Sequence, residues 1–72
     1  MLELYGTSSC PFTQDMRDWL DLHGREYVEY DVERDAEACA RMKSISGQRM
    51  VPVLVENGKA VEIGWHGRGC VI

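Results

Sequence analysis

The stretch Met50–Ile63, MVPVLVENGKAVEI, carries the strongest local structural signal in the chain. Two runs rich in β-branched residues flank Asn57-Gly58, the dipeptide that a two-residue hairpin turn prefers. This pattern predicts an antiparallel hairpin with strands over residues 50–55 and 60–63. Pro52 stands near the start of the first strand, a position that tolerates proline because its missing N–H need not belong to an inner ladder.

Two strand–helix units precede this hairpin. Alternating apolar residues predict strands over residues 1–5 and 26–32. Helices are predicted over residues 11–23 and 36–46. Pro11 suits the first turn of the first helix, because the N–H that proline lacks would have no partner there.

Capping residues and apolar stripes support both helices. Asp35 suits the N-cap of the second helix and Gly47 suits its end. Cys39 lies on the apolar stripe of this helix, so we expect it to pack in the core. Trp19 is expected in the core for the same reason, as part of the stripe of the first helix. That stripe consists of Phe12, Met16, Trp19, Leu20 and His23.

The predicted element order is βαβαββ. A strand–helix–strand crossover implies a parallel pair of strands, and the hairpin adds an antiparallel strand. We therefore predict an α/β fold with a mixed sheet, in a single domain over residues 1–72. Residues 64–72, GWHGRGCVI, are too few and too rich in glycine for another helix, and we expect a flexible tail.

Composition excludes several classes of protein. Apolar residues make up 44% of the 72 residues and charged residues 28%, which excludes a disordered chain. The net charge of −4 argues against nucleic acid or an anionic membrane as a partner. No apolar run approaches the ~20 residues of a membrane span, and the first residues lack the pattern of a secretory signal. We expect a cytoplasmic monomer.

The three cysteines, Cys10, Cys39 and Cys70, do not form the pattern of a disulfide framework or a zinc site. In a reducing compartment they should rest as thiols. Cys10 lies immediately before the predicted first helix, where unpaired N–H groups and the helix dipole favour an anion. Such a position lowers the pKa of a thiol, and the thiolate is the nucleophile of thiol–disulfide exchange. We therefore predict that Cys10 is reactive; the alternative is an inert core cysteine.

Three motifs, TSSCPFT, MVPVLVENG and IGWHG, together resemble the glutaredoxins. More narrowly they resemble the small glutaredoxin-like proteins of the Uxx-star family, some of which carry selenocysteine where Cys10 stands. The resemblance implies a minimal thioredoxin-like fold whose final helix is absent, with a cis peptide bond before Pro52 facing Cys10. It implies thiol–disulfide oxidoreductase activity with a single N-terminal active-site cysteine, acting on disulfides or mixed disulfides of proteins or small thiols.

Glutathione is the candidate co-substrate that the resemblance implies, and no bound cofactor or metal is expected. The chain differs from glutaredoxins at Thr13, which replaces the second active-site cysteine. It also lacks a basic residue before the motif, and Gly64-Trp65 replaces the Gly-Gly pair that grips glutathione.

Three further side chains carry predicted catalytic roles. Thr13 can donate a hydrogen bond to the sulfur of Cys10, or bond its own helical turn instead. His66, which the resembling fold brings near Cys10, can stabilise the thiolate or protonate a leaving thiolate, or lie solvated on its loop. Cys70 is either the thiol that releases a partner bound to Cys10 or a tail thiol without a role.

The resemblance also implies a substrate groove around Val51 and Pro52. The backbone of Val51 would pair with an extended partner chain. Arg49 would attract a carboxylate of a peptide or of glutathione, or lie solvated on the surface. The other predicted members of the groove are Tyr5, Ser9, Pro11, Phe12, Gly64 and Trp65.

Other functions remain open at this level. One is a thiol peroxidase in which peroxide oxidises Cys10, and Cys70 or an external thiol resolves the sulfenic acid. Another is a dimer that bridges an iron–sulfur cluster through Cys10 and external thiols. A third is an interaction domain without catalytic activity.

Overall fold

A four-stranded mixed sheet carries one helix on each face. The computed structural model describes residues 1–72. Its elements in chain order are β1 (Leu2–Gly6), α1 (Pro11–Leu22), β2 (Tyr27–Asp31), α2 (Ala36–Ser46), β3 (Met50–Val51), β4 (Val53–Glu56), β5 (Lys59–Ile63) and β6 (Cys70–Val71). The sheet order is β2-β1-β4-β5, with β1 parallel to β2 and antiparallel to β4. The α/β class, the mixed sheet and the thioredoxin-like arrangement are thus confirmed.

The turn at Asn57-Gly58 closes the hairpin as predicted. Asn57 has φ 53° and Gly58 has φ 82°, and a two-residue type I′ turn requires positive φ at both positions. Glu56 then pairs with Lys59 across the hairpin. β4 also pairs with β1 on its other edge, so it lies inside the sheet and not at its border.

Both helices begin and end close to the predicted residues. The Asp35 side chain accepts a hydrogen bond from the N–H of Ala38 at 3.0 Å, which satisfies a free donor of the first turn of α2. Gly47 ends α2 with φ 71°, the left-handed conformation of a helix C-cap. Neither helix has the length and apolar character needed to cross a membrane.

Alternate residues of β4 point to opposite faces of the sheet, and each face has its own apolar core. The side of the sheet that α2 covers, here called the α2-side core, contains Tyr5, Cys10, Val32, Ala38, Met42, Val51, Val53 and Val55. The α1-side core contains Leu2, Leu4, Met16 and Leu20, with Leu54 packed against it. Cys10, although it directly precedes α1, therefore belongs to the core on the α2 side.

The C-terminal segment contains a strand that the sequence did not predict. The strand expected over residues 50–55 is interrupted at Pro52, and its first part, β3, pairs with β6 in a separate two-stranded sheet. Val51 lies opposite Cys70 in this antiparallel pair. The sequence did not predict this strand because the partner of β6 is distant in sequence, and two residues carry no periodic pattern.

The exposure of Trp19 also differs from the prediction that it lies in the core. Its side chain is 40% exposed instead of buried, and its ring stacks on His23 with a centroid separation of 4.1 Å. The residues of α1 that face the sheet are Thr13, Met16 and Leu20. The buried face of α1 is therefore rotated relative to the predicted apolar stripe. It includes Thr13, and it leaves Trp19 at the edge of the helix–sheet contact.

Candidate functional site

Cys10 is the N-cap residue of α1. Its backbone is extended, with φ −86° and ψ 116°, and Pro11 follows as the first helical residue. The thiol donates to the carbonyl oxygen of Val51 at 3.9 Å. The next peptide bond, Val51–Pro52, is cis. The sulfur of Cys10 therefore lies between the start of α1 and the loop that carries Pro52.

The environment of Cys10 lowers its pKa below that of an ordinary thiol. Burial is the largest single influence and raises the pKa, because it disfavours the charged form. Hydrogen bonds from the Cys70 thiol, from the N–H and hydroxyl of Thr13 and from the N–H of Phe12 act in the opposite direction and prevail. The start of the helix and the C-terminal strand thus stabilise the thiolate together.

Thr13 is wholly buried beneath this helix start. Its Oγ1 makes no regular hydrogen bond while Cys10 is a thiol. The same hydroxyl is among the groups that lower the pKa of Cys10, so its partner is the sulfur in the thiolate form. Thr13 also rests on Gly6 of β1, where an added Cβ would lie 2.7 Å from Oγ1. The hydroxyl is held in place on the sheet side and directed to the sulfur.

Cys70 is brought to Cys10 by the pairing of β6 with β3. It lies opposite Val51, the residue whose carbonyl accepts from Cys10, and packs against the α2-side core. The pKa of Cys70 is raised to about 11 because its thiol donates to the Cys10 sulfur, because it is partly desolvated and because Cys10 is negatively charged. Cys70 therefore keeps its proton while Cys10 is a thiolate.

Backbone hydrogen bonds fix the C-terminal segment at both ends. The N–H of Gly64 donates to the carbonyl of Pro52 at 2.7 Å, and the N–H of Ile72 donates to the carbonyl of Arg49 at 2.9 Å. Gly64 has φ 82°, and a Cβ there would lie 2.8 Å from the carbonyl oxygen of Arg68. The glycine thus allows the chain to turn back tightly and return toward β3.

His66 and Trp65 lie on the other side of the sheet from Cys10. Trp65 packs against the α1-side core, and the His66 ring meets its edge at a centroid separation of 4.6 Å. Both line a cavity of about 260 Å³ with Met16 and Trp19. His66 is not among the groups that influence the pKa of Cys10. The GWHG segment and Cys70 are close in sequence, but Trp65 packs against the α1-side core and Cys70 against the α2-side core.

The remaining predicted groove residues are spread between core and surface. Tyr5 is wholly buried and stacks on Tyr30 with ring centroids 5.0 Å apart, so it is part of the core instead of an open groove wall. Phe12 is half-buried against the α2-side core. Ser9, Pro11 and Arg49 are exposed.

All three cysteines are free thiols in the structure. Cys39 packs half-buried against the α2-side core, as expected of a structural cysteine. No three His, Cys, Asp or Glu side chains converge as metal ligands do. Cys10 and Cys70 are therefore the pair of thiols that the fold brings together.

The chain matches a known protein family over most of its length. The glutaredoxin family model matches residues 2–61. The chain belongs to the glutaredoxin family. The match covers β1 through most of β5, and so includes Cys10, Thr13 and the Val51–Pro52 bond.

Individual glutaredoxin-like proteins agree with this assignment. A glutaredoxin-like 8.6 kDa protein of the rubredoxin operon of Clostridium pasteurianum is 28% identical over 61 residues, 85% of this chain and 81% of that one. The crystal structure of the thioredoxin-like protein BC3987 superposes with a TM-score of 0.82 at 28% identity, over 90% of this chain and 88% of that one.

Two solved glutaredoxins extend the comparison. The glutaredoxin of Archaeoglobus fulgidus has a TM-score of 0.77 at 28% identity, over 89% of this chain and 74% of that one. A buckwheat glutaredoxin in complex with glutathione shares the fold, with a TM-score of 0.76 at 20% identity over 90% of this chain and 61% of that one. Family and fold make the chain a glutaredoxin-like thiol oxidoreductase. The narrower Uxx-star grouping stays a prediction.

The sequence did not indicate the structural role of two glycines in this glutaredoxin-like site. Gly6 makes room for Thr13, and Gly69 makes room for the approach of β6 to β3. A Cβ on Gly69 would lie 2.7 Å from Met50 Cγ, and closer still to the carbonyl oxygen of Val51. Gly6 directly follows a predicted strand, a position that can mark a close backbone approach, whereas Gly69 carried no such signal because β6 was not predicted.

Proposed function

We propose that this protein catalyses thiol–disulfide exchange with the sulfur of Cys10 as the nucleophile. The observation that carries the proposal is the placement of this sulfur at the N-cap of α1, against the carbonyl of the residue that precedes cis-Pro52. The free N–H groups of the first turn and the Thr13 hydroxyl favour the thiolate, which is the reactive form.

The reaction begins with attack of the Cys10 thiolate on one sulfur of a substrate disulfide. An S–S bond forms between Cys10 and the substrate, the original S–S bond breaks, and the other sulfur leaves as a thiolate that takes up a proton. Thr13 cannot complete the exchange, because a hydroxyl does not displace a thiolate from a disulfide. A second thiol has to release the substrate bound to Cys10.

Access to the sulfur depends on the C-terminal strand. Cys10 is only 2% exposed, and Cys70 of β6 packs against the same α2-side core. Because β6 contributes two residues to its ladder, few hydrogen bonds break when it separates from β3. The edge of Val51 that an extended substrate would use is the edge that β6 occupies, so substrate binding displaces this strand.

Glutathione is the co-substrate that we propose for the return of Cys10 to the free thiol. The exposed Arg49 beside β3 offers a cation for one of its carboxylates. The resemblance implies that Gly64-Trp65 corresponds to the glycine pair of other glutaredoxins, and the Gly64 N–H donates to the carbonyl of Pro52. Glutathione binding therefore relies on fewer backbone contacts than in a glutaredoxin with both glycines.

A peptide with one cysteine in mixed disulfide with glutathione tests the proposal. Release of the peptide thiol is followed with reduced glutathione in excess. We expect turnover with the natural sequence and with Cys39→Ser, and the rate without protein for Cys10→Ser. Unchanged turnover by Cys10→Ser would refute the role of Cys10.

A peroxidase function is the second candidate, and the nearness of Cys10 and Cys70 favours it over the remaining alternatives. Peroxide would oxidise the Cys10 thiolate to a sulfenic acid, and the Cys70 thiol would condense with it to a disulfide and water. Consumption of hydrogen peroxide by the reduced protein, with Cys10→Ser as control, measures this activity directly.

A further inference from the structure

We propose that Cys70 is the resolving thiol of this protein: strand β6 presents it to Cys10, and an internal Cys10–Cys70 disulfide releases the substrate. The inference rests on the proposed role of Cys10 as nucleophile. It assigns to the C-terminal strand the task that a second cysteine at the position of Thr13 performs in a two-cysteine motif.

The first support is the position of both thiols relative to Val51. Cys10 donates to the carbonyl of Val51, and Cys70 lies opposite Val51 in the β3–β6 register. All three cysteines belong to or pack against the α2-side core, but the third, Cys39, lies on α2 and outside the β3–β6 pair. One residue of β3 thus fixes the approach of two thiols from different parts of the chain.

The second support is the way in which β6 pairs. It runs antiparallel to the residue before cis-Pro52, the same edge on which an extended substrate strand would bind. Cys70 therefore stands where a cysteine of a bound substrate would stand. Gly69 permits this pairing, since any Cβ at that position would collide with the carbonyl of Val51 and the side chain of Met50.

The third support is the order of events that the charges impose. While Cys10 is a thiolate, the pKa of Cys70 is about 11, through the hydrogen bond to Cys10, partial burial and the charge of Cys10. A mixed disulfide on Cys10 carries no charge and is a poor hydrogen-bond acceptor, so two of these three causes disappear. Cys70 then ionises more readily, at the stage when a second nucleophile is needed.

The resolving step balances as an ordinary exchange. As the substrate chain leaves the edge of Val51, β6 pairs with β3 again. Cys70 then loses its proton to solvent, and its thiolate attacks the Cys10 sulfur of the mixed disulfide. The Cys10–Cys70 bond forms, the bond from Cys10 to the substrate breaks, and the substrate sulfur leaves with the electron pair and takes up a proton. The substrate disulfide has gained two electrons from the two cysteines. A low-molecular-weight thiol or a dithiol protein then reduces the internal disulfide.

Glutathione disulfide is the probe for the test. The fully reduced protein is mixed with it at equal concentration, quenched with acid at intervals, and measured by intact mass and peptide mapping. We expect the natural sequence to lose two hydrogens and to hold a Cys10–Cys70 disulfide, with only a transient glutathionyl adduct. Cys39→Ser should behave in the same way.

The variant Cys70→Ser should retain the adduct on Cys10 at least ~10-fold longer, because an internal thiol acts at high effective concentration. Gly69→Ala keeps all three cysteines but forces β6 away from β3, so it should also prolong the adduct. Circular dichroism of both variants checks that the main sheet is retained.

Two results would overturn the inference while the role of Cys10 stands. One is an adduct on Cys10 that persists equally in the natural sequence and in Cys70→Ser. The other is an internal disulfide that maps to Cys39. If no adduct and no disulfide form on Cys10 in any variant, the proposed function itself fails, and Cys70 has nothing to resolve.

Discussion

Gly6 of β1 and Thr13 of α1 are in direct contact, and this contact sets the position of the buried hydroxyl below Cys10. A Cβ built on Gly6 would lie 2.7 Å from Thr13 Oγ1 and closer still to Cγ2. Both residues are buried, so neither can move toward solvent. The glycine at the end of β1 is thus part of the site although it carries no chemistry of its own.

Gly6→Ala is therefore expected to lower the free energy of unfolding by about 1–3 kcal/mol, the usual cost of overpacking a core. Chemical denaturation measures this change. Thr13→Ser removes Cγ2, the atom in closest contact, so the double variant should recover part of the loss. Equal stability of Gly6→Ala and the natural sequence would show that the site tolerates a methyl group here.

Thr13→Val should separate stability from reactivity. The buried Oγ1 has no partner while Cys10 is protonated, and an unpaired buried hydroxyl costs ~1–3 kcal/mol, so valine should stabilise the folded state at low pH. The same change removes a donor that lowers the pKa of Cys10, so this pKa should rise. Denaturation at several pH values and thiolate absorbance measure the two effects.

The sign of the pH dependence follows from the lowered pKa of Cys10. A thiol whose pKa is lower in the folded state contributes stability above its unfolded pKa, and this contribution is lost as the pH falls through the folded pKa. Thr13→Val reduces that contribution. Its stabilising effect should be largest below the folded pKa of Cys10 and shrink above the unfolded pKa; a gain independent of pH would contradict the role of the hydroxyl.

Local chemistry explains why much of this fold was predictable. The cap of α2 at Asp35, its end at Gly47 and the turn at Asn57-Gly58 each depend on neighbouring residues and special backbone angles. The position of Cys10 at a helix start was predictable for the same reason, because Pro11 directly after it marks the first turn.

Contacts between distant segments explain what was missed. Nothing in the sequence around Cys70 specifies Val51 as its partner, and a two-residue strand is too short for an alternating pattern. The tail also divides, with His66 on the α1 side and Cys70 against the α2-side core. The resemblance implied that His66 lies near Cys10, whereas the tight turn at Gly64 directs the two parts of the tail to different faces.

The pKa of Cys10 should depend on Cys70. The hydrogen bond from Cys70 is the largest of the influences that lower this pKa, second only to the opposing effect of burial. Cys70→Val removes the donor and keeps an apolar side chain in β6, so the pKa of Cys10 should rise. Thiolate absorbance against pH measures the shift, and Cys39→Val serves as the matched control. A pKa unchanged by Cys70→Val would show that the two thiols do not interact.

The pKa of Cys70 should in turn depend on Cys10. Its value of about 11 owes most to the hydrogen bond with the Cys10 sulfur, and partly to the charge there. Cys10→Ser is uncharged at this position, so the pKa of Cys70 should fall below 11. The rate of Cys70 alkylation against pH, read by peptide mapping, gives the value. Slower alkylation of Cys70 at neutral pH in Cys10→Ser than in the natural sequence would contradict this coupling.

Thr13→Cys should make Cys70 dispensable. Thr13 lies one helical turn after Cys10, and its hydroxyl acts on the Cys10 sulfur, so a thiol at that position can attack a mixed disulfide formed there. In the double variant Thr13→Cys with Cys70→Ser, the glutathionyl adduct on Cys10 should again be short-lived, and its decay is followed by intact mass. Thr13→Ser with Cys70→Ser is the matched control and should retain the adduct. If the adduct decays equally slowly in both double variants, position 13 does not reach the sulfur, and the hydroxyl of Thr13 cannot be its hydrogen-bond donor either.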